Sequence, residues 1–354
     1  MDALPRLTAE QTAERLGVKV ETLYSYVARG RLTRVRTADG SSFDPLEVER
    51  FAATRRRRAA SSPGHSEGRP LMVIETTFAL IDDGELTYRG RPVGELAGER
   101  FETVARWALT GEWDAAARFV PGAGLESARA VAACLPASAG DRDRQLVAVS
   151  ALAAADPLRA SLDPAVVASA TERLVAGMVE VLPGRDSGAT PRGTTGHDEQ
   201  MDHDERIDLA ERLFRRLSPT APTGADLALL NAALVLLLDH DIPISTLAAR
   251  AAASARATPY GVVVAGLGAL DSPLHGNASR AAYRLLERVV SGDDPARAVA
   301  DAVVATHGPV PGFGQPLYPD GDPRARILLG MLAADDRHAV VTAAVDAASR
   351  VIAD

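Results

Sequence analysis

One cysteine, Cys134, is all that 354 residues contain, and a lone thiol excludes an internal disulfide. That scarcity fits a reducing compartment, with Cys134 expected to be a small core filler. Aromatic residues are also rare, at 4%, which argues against a sheet-on-sheet core built on large rings. Long hydrophobic runs are missing. The two greasiest stretches, Leu227–Leu238 and Tyr260–Leu270, fall short of the ~20 residues a membrane-spanning helix requires. They are expected to be helices buried on all sides. Met1–Arg6 lacks a basic start followed by an apolar run, so no secretory leader is read there and a cytoplasmic location is expected.

What the chain does have is alanine and leucine. Hydrophobic residues make up 46% and charged residues 24%. Ala and Leu lose little conformational freedom in a helix, so a large, mainly helical protein is expected. Charge is unevenly spread. Residues 1–60 hold 12 Lys/Arg against 8 Asp/Glu, a net +4, whereas the whole chain is at −8, which leaves −12 for the remainder. A basic front ahead of an acidic body points to a polyanion contact at the front. Composition divides the chain into a compact charged unit over residues 1–58, a Pro/Gly/Ser-rich linker over 59–70, and a helical body over 71–354. Within the body, Pro183–Glu205 reads as a solvated insertion. Its His197-Asp198-Glu199 and His203-Asp204-Glu205 triplets have nothing to fix ligand geometry, so no metal site is expected.

In the front unit, Thr8 with Gln11 three residues on forms a capping box for a first helix bearing Ala9, Ala13 and Leu16 on one face. A turn at Gly17-Val18 leads to a second helix from about Lys19 to Arg29, with Val20, Leu23 and Val27 inward. A hairpin with its turn at Asp39-Gly40 follows, and then a third helix from Asp44-Pro45 to the run Arg55–Arg58. This succession resembles the winged helix-turn-helix of the MerR/excisionase-like family, whose second helix enters the DNA major groove. The resemblance implies a DNA contact through Thr22, Ser25, Tyr26 and Arg29 on the outward face, with Glu21 beside them, and through Arg34 and Arg36 on the wing. Such a module offers few contacts by itself, so a dimer is expected. A helical docking module whose basic residues are merely solvated is the alternative.

Three ordered segments in the body carry a second resemblance. The first is Ile81-Asp82-Asp83-Gly84-Glu85-Leu86-Thr87-Tyr88-Arg89-Gly90 with Val93-Gly94-Glu95-Leu96, preceded by Ile74–Thr77 and followed by a helix ending Trp107–Glu112. The second is Leu238-Asp239-His240-Asp241, Ser245-Thr246 and Arg250, continuing to Ser272-Pro273-Leu274-His275-Gly276-Asn277. The third is Gly312-Phe313-Gly314-Gln315-Pro316-Leu317-Tyr318 followed by Asp322-Pro323-Arg324. Together they resemble the motifs of the citrate synthase family in order and spacing, over residues 71–330. The resemblance implies a multi-helical citrate synthase-like body, C-terminally short, with no permanently bound cofactor. Its ligands would be acetyl-CoA or a related CoA ester and an oxaloacetate-type dicarboxylate.

Condensing acetyl-CoA with oxaloacetate requires a base for the methyl proton, a donor to the enol oxygen and a polariser for the ketone, with cations to hold the carboxylates. By residue match, His275 donates to the enol oxygen, His240 holds oxaloacetate and Arg324 pairs with a carboxylate. Outside the motifs, His65, His307 and His338 are read as ordinary histidines. Gln315 stands where the family has a histidine; an amide donates a hydrogen bond but cannot deliver a proton near neutrality. Pro316 replaces the following arginine. The spacing to the family's aspartate base leads past Asp354, and Asp346 lies too early, on an Ala-rich helix, as an exposed residue. A missing general base costs ~10²–10⁴ in rate. The expected function is therefore a catalytically impaired, DNA-binding regulator that responds to a metabolite. An active citrate synthase-type acyltransferase and a non-catalytic subunit paired with a complete citrate synthase paralogue are the alternatives.

Overall fold

The structure is a computed structural model that describes residues 5–37, 40–60, 76–184, 207–272, 275–306, 309–314, 317–318 and 321–353, with backbone only at 56–60 and 353. The chain divides into two compact units, one of Met1–Glu75 with Pro273–Asp354 and one of Thr76–Ser272. Helices dominate both.

The front begins with β1 (Leu7–Thr8), α1 (Ala9–Arg15) and α2 (Val20–Ala28). Thr8 Oγ1 accepts from the Gln11 amide while Gln11 Oε1 accepts from the Thr8 amide, so the expected capping box is present. Gly17 makes the turn between the helices at φ +62°, a backbone region that costs a side chain-bearing residue roughly 1–2 kcal/mol. β2 (Arg34–Thr37) and β3 (Gly40–Phe43) pair antiparallel, and β1 joins the far edge of β3. Asp44 Oδ1 then accepts from the Leu46 amide at 2.8 Å and opens α3 (Pro45–Ala60). This helix continues two residues into the stretch read as a linker; 61–70 lie outside the described residues.

The second unit opens on an antiparallel meander of β4 (Ala79–Asp82), β5 (Glu85–Tyr88) and β6 (Arg91–Pro92), whose two-residue turns are Asp83-Gly84 and Arg89-Gly90. Helices follow: α4 (Val93–Leu96), α5 (Phe101–Thr110), α6 (Leu125–Ala133), α7 (Asp141–Ala155), α8 (Pro164–Glu180), α9 (Leu209–Leu217), α10 (Gly224–Leu236), α11 (Ile244–Ser254) and α12 (Pro259–Leu270). A core of Leu125, Ala128, Val149, Leu152, Leu174 and Leu267 joins α6, α7, α8 and α12. Near its end α8 presents buried Glu180, which pairs with Arg129 (3.2 Å), Arg212 (3.6 Å) and Arg216 (2.5 Å). Those arginines reach it from α6 and α9, so ion pairs tie the flanks of the insertion together. Both His-Asp-Glu triplets of that insertion lie outside the described residues.

The remaining elements belong with the front: α13 (Ala278–Val290), α14 (Pro295–Thr306), α15 (Pro323–Ala333), a 3-10 turn at Asp336–His338, and α16 (Ala339–Ala353). α3 lies against both α14 and α16. One core cluster runs from Leu7, Leu23, Phe43 and Val48 through to Leu285, Val299, Val303 and Ala348.

Three expectations are corrected here. Cys134 is exposed, because the buried stripe of α6 runs through Leu125, Ala128 and Ala132 and leaves position 134 off that face. The apolar helices α10 and α12 are not covered all round. Among the described residues Leu237, just after α10, is 64% exposed and Val264 on α12 is 36% exposed. Tyr26 does not face outward; its ring packs edge-on against Phe51 at 5.1 Å, because α3 crosses that side of α2.

Candidate functional site

In the second unit the site is built on the end of α10. Tyr88, fully buried at the end of β5, donates its hydroxyl 3.0 Å to the Leu236 carbonyl and lies 3.0 Å from the Asp239 carbonyl. The Asp239 amide in turn approaches the same hydroxyl at 3.3 Å. Phe78 stacks on the Tyr88 ring at 4.7 Å and fixes its plane. The turn that follows is therefore held from a distant hairpin. Asp239 Oδ1 accepts from the His240 amide at 2.9 Å, and Asp241 takes left-handed backbone at φ +54°. His240 is half-buried, with Nε2 shielded from solvent. Burial pushes the Asp239 carboxyl above its ordinary range against the pull of the His240 amide and of Arg250 on α11.

His275 and Arg324 belong to the other unit. The His275 carbonyl accepts from the Ala278 amide at 3.0 Å, so the half-buried histidine sits in the turn that starts α13. Gly312 meets the same helix. Its φ is +81°, and a Cβ there would lie 2.8 Å from the Ala282 Cβ, so only glycine fits without a shift. Phe313 packs on the core described above. Gln315 and Pro316 lie outside the described residues, as do Pro273, Leu274, His307 and His65.

Arg324 is already engaged. Asp322 caps α15 through the Arg324 amide at 2.9 Å, and its carboxylate also takes Nε at 3.0 Å and Nη2 at 2.7 Å. The guanidinium lies 5.8 Å above the buried Tyr318 ring. A planar guanidinium presents five donors, so this fork leaves others for a further carboxylate.

On the front unit, Arg29 and Arg36 are exposed, while Thr22, Ser25 and Arg34 are half-buried. Ser25 Oγ donates back to the Glu21 carbonyl at 3.2 Å. Tyr26 is turned inward, with Arg55 5.6 Å above its ring. Tyr24 takes the outer position: it is 37% exposed, its hydroxyl is 3.3 Å from Ser41 Oγ, and Arg34 stacks over it at 5.7 Å. Sequence reading missed Tyr24 because a single helical face through 22, 25, 26 and 29 excludes position 24; the hairpin approaching from that flank supplies the contact. It also passed over Tyr88 and Asp239 as functional residues. Both stand inside the quoted motifs, and that placement was the available signal.

Comparison with known proteins adds the following. A family model described as citrate synthase, C-terminal domain, matches residues 67–353. Citrate synthase of Synechocystis sp. is 29% identical over 195 residues, covering 55% of this chain and 47% of that protein. Citrate synthase of Deinococcus radiodurans is 28% identical over 263 residues, 71% of this chain and 67% of that one. The match thus spans about half the length of the Synechocystis protein. Among solved structures, a ternary complex of citrate synthase from Thermoplasma acidophilum with carboxymethyl coenzyme A and oxaloacetate aligns with a TM-score of 0.60 at 23% identity, over 81% of this chain and 78% of that one. That likeness establishes the fold.

Proposed function

The chain belongs to the citrate synthase family, and on that premise we propose that it binds a CoA ester such as acetyl-CoA together with an oxaloacetate-type dicarboxylate, turns them over slowly or not at all, and acts as a ligand-responsive DNA-binding regulator. Within this reading His240 holds oxaloacetate, and Arg324 pairs with a carboxylate. His275 faces the thioester oxygen, where an N–H donor stabilises the enol form. Arg29, Arg34 and Arg36 contact DNA phosphates, with Thr22 and Ser25 on the same helix; Tyr24 joins them in place of the inward-turned Tyr26. The protein works as a homodimer, a proposal supported by the apolar surface left open at Leu237, Ile244 and Val264.

The observation that carries the impaired-turnover part is Gln315 in the third motif. An amide can point a hydrogen bond at a ketone but supplies neither a proton nor a positive charge. The Asp322 carboxylate on Arg324 acts in the same direction, because it offsets positive charge beside the proposed dicarboxylate position. A second reading, a working citrate synthase-type acyltransferase, is favoured by the names of the relatives, citrate synthases of Synechocystis and Deinococcus among them.

Purified full-length chain decides between them. Calorimetric titration with acetyl-CoA and oxaloacetate should show binding, while release of free thiol stays far below ~1 s⁻¹, the low end of ordinary enzymes. Faster thiol release establishes the acyltransferase and removes the regulator reading. Duplex affinity should fall steeply with salt; binding that ignores salt rejects the DNA contact.

A further inference from the structure

Sequence composition suggests a front module tethered by a linker, but the packing within the first unit has a different logic. α2 is fastened to α3 by the Tyr26–Phe51 ring contact, and α1 is fastened to α3 by the ion pair of Arg15 and Glu49, whose side chains are 7% and 8% exposed. The inner side of α3 then meets α14 and α16. Leu23, Phe43 and Val48 from the front share one continuous cluster with Val299, Val303 and Ala348. Phe313 packs against that cluster too, and Gly312 beside it is pressed onto Ala282 of α13. Phe313 of the third motif and the front helices that bear the basic face therefore rest on the same core.

We propose that the described parts of residues 5–60 and 275–353 form a single cooperative body, so that a CoA ester held at His275 stabilises α2 and its basic face without any linker transmitting the effect. Close-packed interiors do not deform piecemeal, and elements that share a core open together. Ligand binding to the folded form alone stabilises every element of the body that must open with it. By linkage, whatever factor the ligand adds to polyanion affinity at the basic face, the polyanion adds to ligand affinity. The cooperative body stands on packing alone; its use in regulation rests on the function proposed above.

Native-state hydrogen exchange on the full-length chain tests both parts. Leu23→Ala empties a fully buried site in the front and should speed exchange by at least ~30-fold. The same factor is expected in α2, α3, α14 and α16; acceleration confined to residues 5–60 overturns the single body. Should Leu23→Ala fail to fold, Val303→Ala approaches from the other side and must accelerate α2 together with α14. In the ligand arm, acetyl-CoA binding is first scored by calorimetry. At 100 times its dissociation constant it should slow exchange in α2 and α3 by about 100-fold. Binding with no change there overturns the coupling and leaves the proposed function intact. Absence of binding removes the proposed function, and the two variants then decide the cooperative body by themselves.

Discussion

The hydroxyl of Tyr88 lies 3.0 Å from the carbonyl of Asp239, a residue 151 positions further along the chain. A phenol in the opening hairpin thereby fixes the turn that presents His240. Replacing Tyr88 with Phe keeps the ring and its stacking on Phe78 but leaves the buried Leu236 carbonyl without its donor and the Asp239 amide without its acceptor. The expected loss is about 1–3 kcal/mol in urea unfolding. Dicarboxylate affinity measured by calorimetry should fall at the same time.

Asp239 has a carboxyl raised above 3.8 by burial. A group raised in the folded state stabilises most below its unfolded value, and that contribution is lost as pH rises through the folded one. Asp239→Asn keeps an oxygen for the His240 amide and cannot ionise. The variant should therefore melt higher than the parent at pH 7, with the difference shrinking as pH falls toward 3.8. Thermal melts across that range check the sign.

Tyr260 donates to Asp156 Oδ2 at 2.8 Å, and burial together with that bond raises its hydroxyl from 10.0 to about 12. Burial alone would raise the Asp156 carboxyl, but the bonds from Tyr260 and the Leu158 amide and the charge of Arg173 leave it lowered. The Tyr260 contribution is complete below pH 10 and disappears by about pH 12. Tyr260→Phe should cost about 1 kcal/mol at neutral pH. Chemical denaturation near pH 12 should show the two proteins converging, each weakened by alkali.

Gly312→Ala places a Cβ 2.8 Å from that of Ala282 at φ +81°. Strain from the backbone alone is roughly 1–2 kcal/mol. The contact adds to it unless α13 shifts. A midpoint lowered in denaturant, with the slope unchanged, is the expected outcome.

Arg324→Gln removes the guanidinium while Asp322 still caps α15. Charge-assisted hydrogen bonds are worth about 1.5–3 kcal/mol. Oxaloacetate affinity should drop on the order of 10- to 100-fold, with acetyl-CoA affinity little changed. Equal weakening of both ligands would remove Arg324 from the dicarboxylate position.

Much of this molecule was legible before any coordinates, and the legible parts are local. The Thr8–Gln11 box, the Asp83-Gly84 and Arg89-Gly90 turns and the helical class depend on residues within four positions of each other, so a linear pattern contains the whole cause. The family, too, was readable from ordered motifs. The Arg324–Asp322 fork is also local, two residues apart, yet motif matching assigned that guanidinium to a ligand and overlooked the neighbour.

Tertiary structure decided what depends on which surfaces meet. It turned Tyr26 inward onto Phe51 and left Tyr24 outside, placed Cys134 on the surface, and left Val264 of α12 partly exposed among the described residues. It also joined the front of the chain to the helices after Pro273 in one core. Periodicity marks a side chain as apolar or a helix as two-faced, but the identity of the covering partner is fixed only by non-local packing. Leu23 and Val303 were both recognisable as core residues; that they belong to the same core is written in the fold.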